Sequence, residues 1–191
     1  MTAALAQIVA LAFASGLNVY ATIAVLGLTE HYHLVALPAQ FRAFDHPVVI
    51  GLALAMYLVE FVADKIPWFD SVWDAIHTVV RPIGGALIAV NAIGDATPLS
   101  TALAALLGGA VAMTTHVTKA STRAAVNVSP EPFSNWLLSV TEDVIAVGIS
   151  YLALQHPIVA SVAAIVLLVA IISSAWLIVR FVRRRVARRQ S

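Results

Sequence analysis

Residues 133–154 read FSNWLLSVTEDVIAVGISYLAL. A helix of this length crosses a bilayer, yet Glu142 and Asp143 stand side by side in its middle. At ~1.5 Å per residue the two acids lie ~14 Å from its start, close to the midplane. A charge at that depth costs at least ~2.5–3.5 kcal/mol unless it is paired, neutralised or wetted. The rest of the chain makes a membrane reading general. Of its 191 residues 61% are hydrophobic and 11% charged, with mean hydropathy +0.92, where soluble domains carry about 25% charged residues. The chain contains no cysteine, so disulfides, thiolate catalysis and Cys-based metal sites are excluded.

Around that segment five more apolar stretches can be counted: residues 4–28, 47–66, 81–93, 99–117 and 157–182. The third is too short to span unless its helix starts near Asp70 and runs to Gly94, which puts Pro82 inside it and predicts a kink there. The expected fold class is an all-α integral membrane protein of about six transmembrane helices. It has a polar-lined centre and a kink in the third helix at Pro82. Residues 1–182 form the single helical transmembrane domain and 183–191 a basic cytoplasmic tail. Ala12-Phe13-Ala14 resembles a cleavage site, but no Lys or Arg precedes Arg42, so the first segment reads as an uncleaved helix.

Charge is distributed unevenly. Six of the eleven basic residues (Arg180, Arg183, Arg184, Arg185, Arg188 and Arg189) lie at or beyond the end of the last apolar stretch. Such a cluster anchors a cytoplasmic end and meets anionic lipid headgroups; it is not read as a nucleic-acid site. Six spans then put both termini in the cytoplasm. Lys65, Lys119 and Arg123 fall in cytoplasmic connections, with Trp68, Trp73, Trp136 and Trp176 near the same interface. His46-Pro47 and His156-Pro157 each open an apolar helix from the outer side, in the manner of a weak internal repeat.

Placed on a 3.6-residue wheel, the polar residues form stripes. Ser15, Asn18 and Thr22 align on the first helix, and Tyr57, Glu60 and Asp64 on the second. Asp70, Asp74, His77 and Arg81 align on the third. His116, Lys119, Arg123 and Asn127 share one face of the fourth, and Asn135, Ser139 and Glu142 one face of the fifth. The last helix has no ionisable residue in its span and is expected outside. The candidate pathway is therefore Glu60, Asp64, Asp74, His77, Arg81, His116, Lys119, Arg123, Asn135, Glu142 and Asp143. By depth it forms a funnel, wide at the cytoplasm and closing near the midplane. An ion pair between Arg81 and Glu142 is predicted, with Asp143 or Glu60 as the substitute acid.

Metal and cofactor signals are weak. Asp70, Asp74 and His77 have the spacing of oxygen and imidazole ligands, and His31, His33 and His46 cluster with Glu30 and Asp45 in an outer loop. Neither matches a metal motif, and no metal and no cofactor is expected. Ser129 or Ser134 would cap the fifth helix beside Lys119 and Arg123, an arrangement that favours anions. Gly84-Gly85 and Gly108-Gly109 predict close helix approach, since neither fits a nucleotide-binding pattern.

The runs Ser15-Gly-Leu-Asn-Val-Tyr-Ala-Thr, Val59-Glu-Phe-Val-Ala-Asp-Lys-Ile-Pro, Asp70-Ser-Val-Trp-Asp-Ala-Ile-His-Thr and Asn127-Val-Ser-Pro-Glu-Pro-Phe-Ser-Asn-Trp carry a resemblance. The chain resembles, over nearly its whole length, a family of small bacterial membrane proteins catalogued as domain of unknown function 4126. The resemblance implies a bacterial inner-membrane location and brings no activity. The leading functional expectation is a carrier for a small solute or ion, one that could be anionic. The alternatives are an enzyme or carrier acting on a lipid phosphate, with His77 or His116 in acid–base work, and a structural scaffold. Expected partners are the lipid bilayer, a small solute or ion, and a second copy of the chain in a homo-oligomer.

Overall fold

The computed structural model describes residues 2–127 and 133–190. It contains seven α-helices and no strand among the described residues: α1 (Thr2–Leu17), α2 (Val19–His31), α3 (Pro47–Ala63), α4 (Pro67–Ile93), α5 (Pro98–Asn127), α6 (Phe133–Gln155) and α7 (Pro157–Gln190). A short 3-10 turn, Ala39–Phe44, joins α2 to α3. Proline is the first residue of α3, α4, α5 and α7. The missing N–H costs nothing at that position, and the fixed φ is already helical. His46 strengthens the start of α3, its Nδ1 accepting from the Val48 amide at 3.2 Å.

Four helical stretches are long and apolar enough to cross a membrane: Trp68–Ile93, Pro98–Ala124, Asn135–Gln155 and Pro157–Ser174. Two shorter apolar helices, Thr2–Leu17 and Pro47–Ala63, accompany them. Of the about six expected transmembrane helices, four are thus long and apolar enough to cross as single helices among the described residues. The first apolar segment is two helices separated at Asn18, and α3 with 17 residues rises only ~25 Å against a hydrocarbon core of ~30 Å. The expected third helix forms over nearly the anticipated length, and α4 is a single helix running through Pro82. The 128–132 connection lies outside the described residues. So do the side chains of Asn127 and Ser134 and of the tail arginines beyond Arg180.

α1 is the axis of the molecule. It packs against α4, α5, α6 and α7, and every residue from Ala10 to Leu17 is buried. Small residues allow this approach. A Cβ added at Gly16 would come within 2.5 Å of the Ala112 carbonyl oxygen on α5. α4 and α5 form the most extensive pair. A Cβ on Gly85 would lie 2.9 Å from the Gly108 oxygen, and one on Gly108 would collide with the Ala89 Cβ. The sequence expectation of close approach at these glycines holds for Gly85 and Gly108.

The surface is apolar and the interior ionised. Leu52, Leu58, Val79, Leu106, Val144 and Val166 are all exposed, while Glu60, Arg81, His116 and Arg123 have no accessible surface. Water would reverse that distribution; hydrocarbon enforces it, because each polar group must find its partner inside the protein.

A buried charge cluster at a helix break

Asn18 interrupts the first apolar segment with extended backbone, φ −154° and ψ 102°. Its side chain makes the interruption stable. Oδ1 accepts from the Ala21 amide at 2.9 Å, capping the N-terminus of α2 as asparagine does well. The other side of the break is the C-terminus of α1, whose last carbonyls lose their helical partners. Two buried cations answer them. Arg81 Nη1 on α4 donates to the Gly16 oxygen at 3.1 Å, and Lys119 Nζ on α5 donates to the Leu17 oxygen at 3.0 Å. A cation at a helix C-terminus also meets the negative end of the helix dipole.

Carboxylates surround these cations. Arg81 Nη2 lies 2.7 Å from Glu60 and 3.8 Å from Asp74. Lys119 sits between Glu60 at 3.4 Å, Asp64 at 3.4 Å and Glu142 at 3.6 Å. Arg123 Nη2 bridges Asp64 at 2.6 Å and Glu142 at 2.7 Å, and Nη1 lies 3.6 Å from Asp70. Arg123 also donates to the Asp64 backbone oxygen at 2.8 Å and to Asn135 at 3.1 Å, and Asn135 returns a bond to that same Asp64 oxygen. The end of α3 is thereby drawn into the cluster, which satisfies a carbonyl that a short helix would otherwise strand. On α6, Asp143 Oδ1 accepts from Asn18 Nδ2 at 3.0 Å.

The hydrogen bonds of His116 fix its tautomer. Arg81 has only donors, so His116 Nδ1, 2.8 Å from Arg81 Nη1, must accept. His116 then carries its proton on Nε2, directed to the Asp74 oxygen and Thr78 Oγ1, both at 3.1 Å. His77 Nδ1 donates to the Trp73 oxygen at 2.8 Å, and its Nε2 shares a hydrogen bond with the Tyr20 hydroxyl at 3.1 Å. Both nitrogens of His77 are thus engaged, and no group of three or more metal-ligating side chains is assembled among the described residues. Asp70, Asp74 and His77 therefore do not form such a group. The outer histidines do not either: His31 pairs with Asp45 at 2.8 Å, beside a 550 Å³ pocket lined by Glu30, His33, Arg42 and Asp45.

The polar stripes do meet. Every predicted pathway residue lies in this assembly, with His77 on its edge through Tyr20. Two features differ from expectation. Arg81 pairs with Glu60, the named substitute, while Glu142 belongs to Arg123 and Lys119. Depth along a helix is one coordinate; lateral neighbours decide the pair, and Glu60 of α3 reaches Arg81 first. The cluster is also closed rather than a wide funnel, since none of its nine charged side chains comes from a residue more than 6% exposed. Its edge opens on a 240 Å³ cleft between α4 and α5, lined by Asp70, Ser71, Asp74, Thr78, Ala120 and Arg123. Sequence reading missed the break itself, and with it the backbone carbonyls of Gly16 and Leu17 as members of the site.

Counted together, Glu60, Asp64, Asp70, Asp74, Glu142 and Asp143 face Arg81, Lys119 and Arg123, six acids against three cations among the described residues. Lys65 stays at the margin, bonded to the Phe61 oxygen at 2.7 Å and lying over the Phe61 ring. The site holds more negative groups than fixed positive ones, and protons or small cations can make up the difference.

An all-helical chain with lipid-facing apolar surface and a sequestered ionic interior is an integral membrane protein with several passes. This one belongs to the family described as "Domain of unknown function (DUF4126)", whose model matches residues 5–177. No curated protein and no solved structure matches the chain.

Proposed function

We propose that this protein is a carrier for a small solute or ion, driven by or exchanging protons through the cluster at the Asn18 break. The observation that carries the reading is the excess of buried acids over cations around an interrupted helix. Interrupted helices near the midplane are where transporters place their sites, because free backbone groups and helix ends can bind ions there. The three fixed cations are already saturated by carboxylates, so the species bound is a proton or small cation rather than an anionic solute. The same saturation counts against a lipid-phosphate enzyme, whose Arg and Lys would have to leave their acids to hold phosphate. Against a scaffold stands the cost of burying unbalanced acids, where apolar residues of similar volume would hold helices together as well. We place the protein in the bacterial inner membrane with both termini cytoplasmic, on the strength of Lys65, the tail arginines and the outward-facing Trp68, Trp136 and Trp176.

The test is flux. The full-length protein is reconstituted into liposomes loaded with a pH-sensitive dye, and a potassium diffusion potential or an inward gradient of Na⁺, K⁺ or an organic cation is imposed. Internal pH should change faster than in protein-free vesicles, and Glu60→Gln should slow the change. Rates equal to those of empty vesicles under every gradient would refute the carrier.

A further inference from the structure

The cluster contains one acid of a different kind. Glu60, Asp64, Asp70, Asp74 and Glu142 each have an Arg or Lys nitrogen within 3.8 Å. Among the described residues Asp143 has none within ion-pair distance. It is 5% exposed, one carboxylate oxygen accepts only from the neutral amide of Asn18, and the other is buried without a hydrogen-bond partner. An isolated carboxylate in that position carries its full desolvation cost. A proton on the unpartnered oxygen removes the charge and leaves the Asn18 bond in place.

We propose that Asp143 is a proton-binding site, and that Asn18 transmits its protonation to the α1–α2 break. The groups around Asp143 fit this assignment. Tyr57 and Glu60 face it from α3, Asp64 and Lys65 from the end of that helix, and Lys119 from α5. Tyr20 is the ionisable group that α2 brings to the cluster. Glu142 precedes it on α6, α1 carries no ionisable side chain, and α7 has none before Arg180. Asp143 therefore competes with Glu60, Asp64 and Glu142 for the influence of Lys119, and Lys119 already touches those three. The acid left over is the one that takes the proton.

The transmission follows from Asn18 using both ends of its amide. Its Nδ2 donates to Asp143 while its Oδ1 caps Ala21. A hydrogen bond to a carboxylate is roughly twice as strong as one to a neutral carboxyl. Protonation weakens the hold on Asn18, the residue whose extended backbone separates α1 from α2. Deprotonation restores it. The ligand is thus a proton, bound at the joint between the two half-helices. Its role in transport rests on the carrier reading; its existence as a site does not.

The test is a pH titration of the purified full-length protein by infrared difference spectroscopy, with the carbonyl band of a protonated carboxyl as the probe. The band should appear as pH falls and vanish in Asp143→Asn, which mimics the protonated form and keeps the Asn18 bond. If that variant does not fold, Asp143→Glu should shift the midpoint of the titration. Asn18→Ser should change the band position without abolishing the band, whereas Glu30→Gln should leave it untouched. A band that persists at wild-type amplitude in Asp143→Asn, or the absence of any titrating band in the wild type, overturns the assignment. A wild type that titrates at Asp143 but moves nothing across liposomes upholds the proton site and refutes the carrier. One that supports flux with no such band does the reverse.

Discussion

Arg123→Gln removes the side chain that holds the inner part of the cluster together. In the native protein Arg123 donates to Glu142 at 2.7 and 3.0 Å, to the Asp64 carboxylate at 2.6 Å, to the Asp64 backbone oxygen at 2.8 Å and to Asn135 at 3.1 Å. Without it, six acids face two cations among the described residues. Breaking a buried pair by deleting one partner costs ~3–5 kcal/mol, chiefly because the other partner is left charged and dry. At ~2–4 °C per kcal/mol for a chain of this size, the loss is ~6–20 °C in thermal midpoint. Glu142→Gln should cost less, ~1–3 kcal/mol, because Arg123 keeps Asp64 and Asp70. In the double variant no carboxylate at position 142 is stranded, so the losses should fall short of their sum by ~1–3 kcal/mol. The measurement is tryptophan fluorescence during thermal unfolding in detergent at fixed pH and salt. Additivity within ~0.5 kcal/mol would show that the pair does not interact. A coupling for Arg81 with Glu142 as large as that for Arg123 with Glu142 would refute the assignment of Glu142 to Arg123.

Two further predictions concern access and packing. Because the chain has no native cysteine, Ser71→Cys and Ala124→Cys at the α4–α5 cleft should react with a polar, membrane-impermeant thiol reagent. His116→Cys, with no exposed surface, and lipid-facing Leu54→Cys should remain unlabelled over the same time, and equal labelling at all four would remove the cleft as an entrance. Gly108→Ala should cost ~1–3 kcal/mol by forcing α4 from α5. Gly148→Ala, which has nothing within 4 Å of its new Cβ, should gain up to ~1 kcal/mol from helix propensity; similar midpoints for the two would show that α4 and α5 tolerate separation.

Much of this architecture is legible in the residues because lipid leaves few options. A polar stripe on an apolar helix has to face protein, so the stripes of α3, α4, α5 and α6 point to one another from sequence alone. Proline at the head of a helix is equally legible, and Pro47 and Pro157 mark helix starts for that reason. Pairing is less legible. Rise per residue gives depth, and it puts Arg81 and Glu142 within ~4 Å of each other in depth, but nothing local reports which helix stands beside which. Closure is not legible either. A set of charged residues at graded depths looks the same whether water or other side chains fill the space between them, and here Arg123 and Lys119 reach inward to fill it.

The break at Asn18 is invisible in the sequence for a reason that bears on how the site works. No proline marks it, and asparagine sits in helices often enough to pass as part of a stripe. The groups that make the break tolerable are Arg81 and Lys119, whose bonds to Gly16 and Leu17 span 65 and 102 residues of sequence. Free carbonyls at that depth would cost several kcal/mol each. The two cations satisfy them, and those cations in turn require Glu60, Asp64 and Glu142. Each element is therefore a condition of the others: an unbroken first helix would leave two buried cations short of acceptors, and a chain without the acids could not bury the cations. Structural balance alone would be met by three acids for three cations. The acids beyond that number are not explained by holding the break open, and Asp143, bonded to the break residue and, among the described residues, to no cation, is where this surplus touches the break.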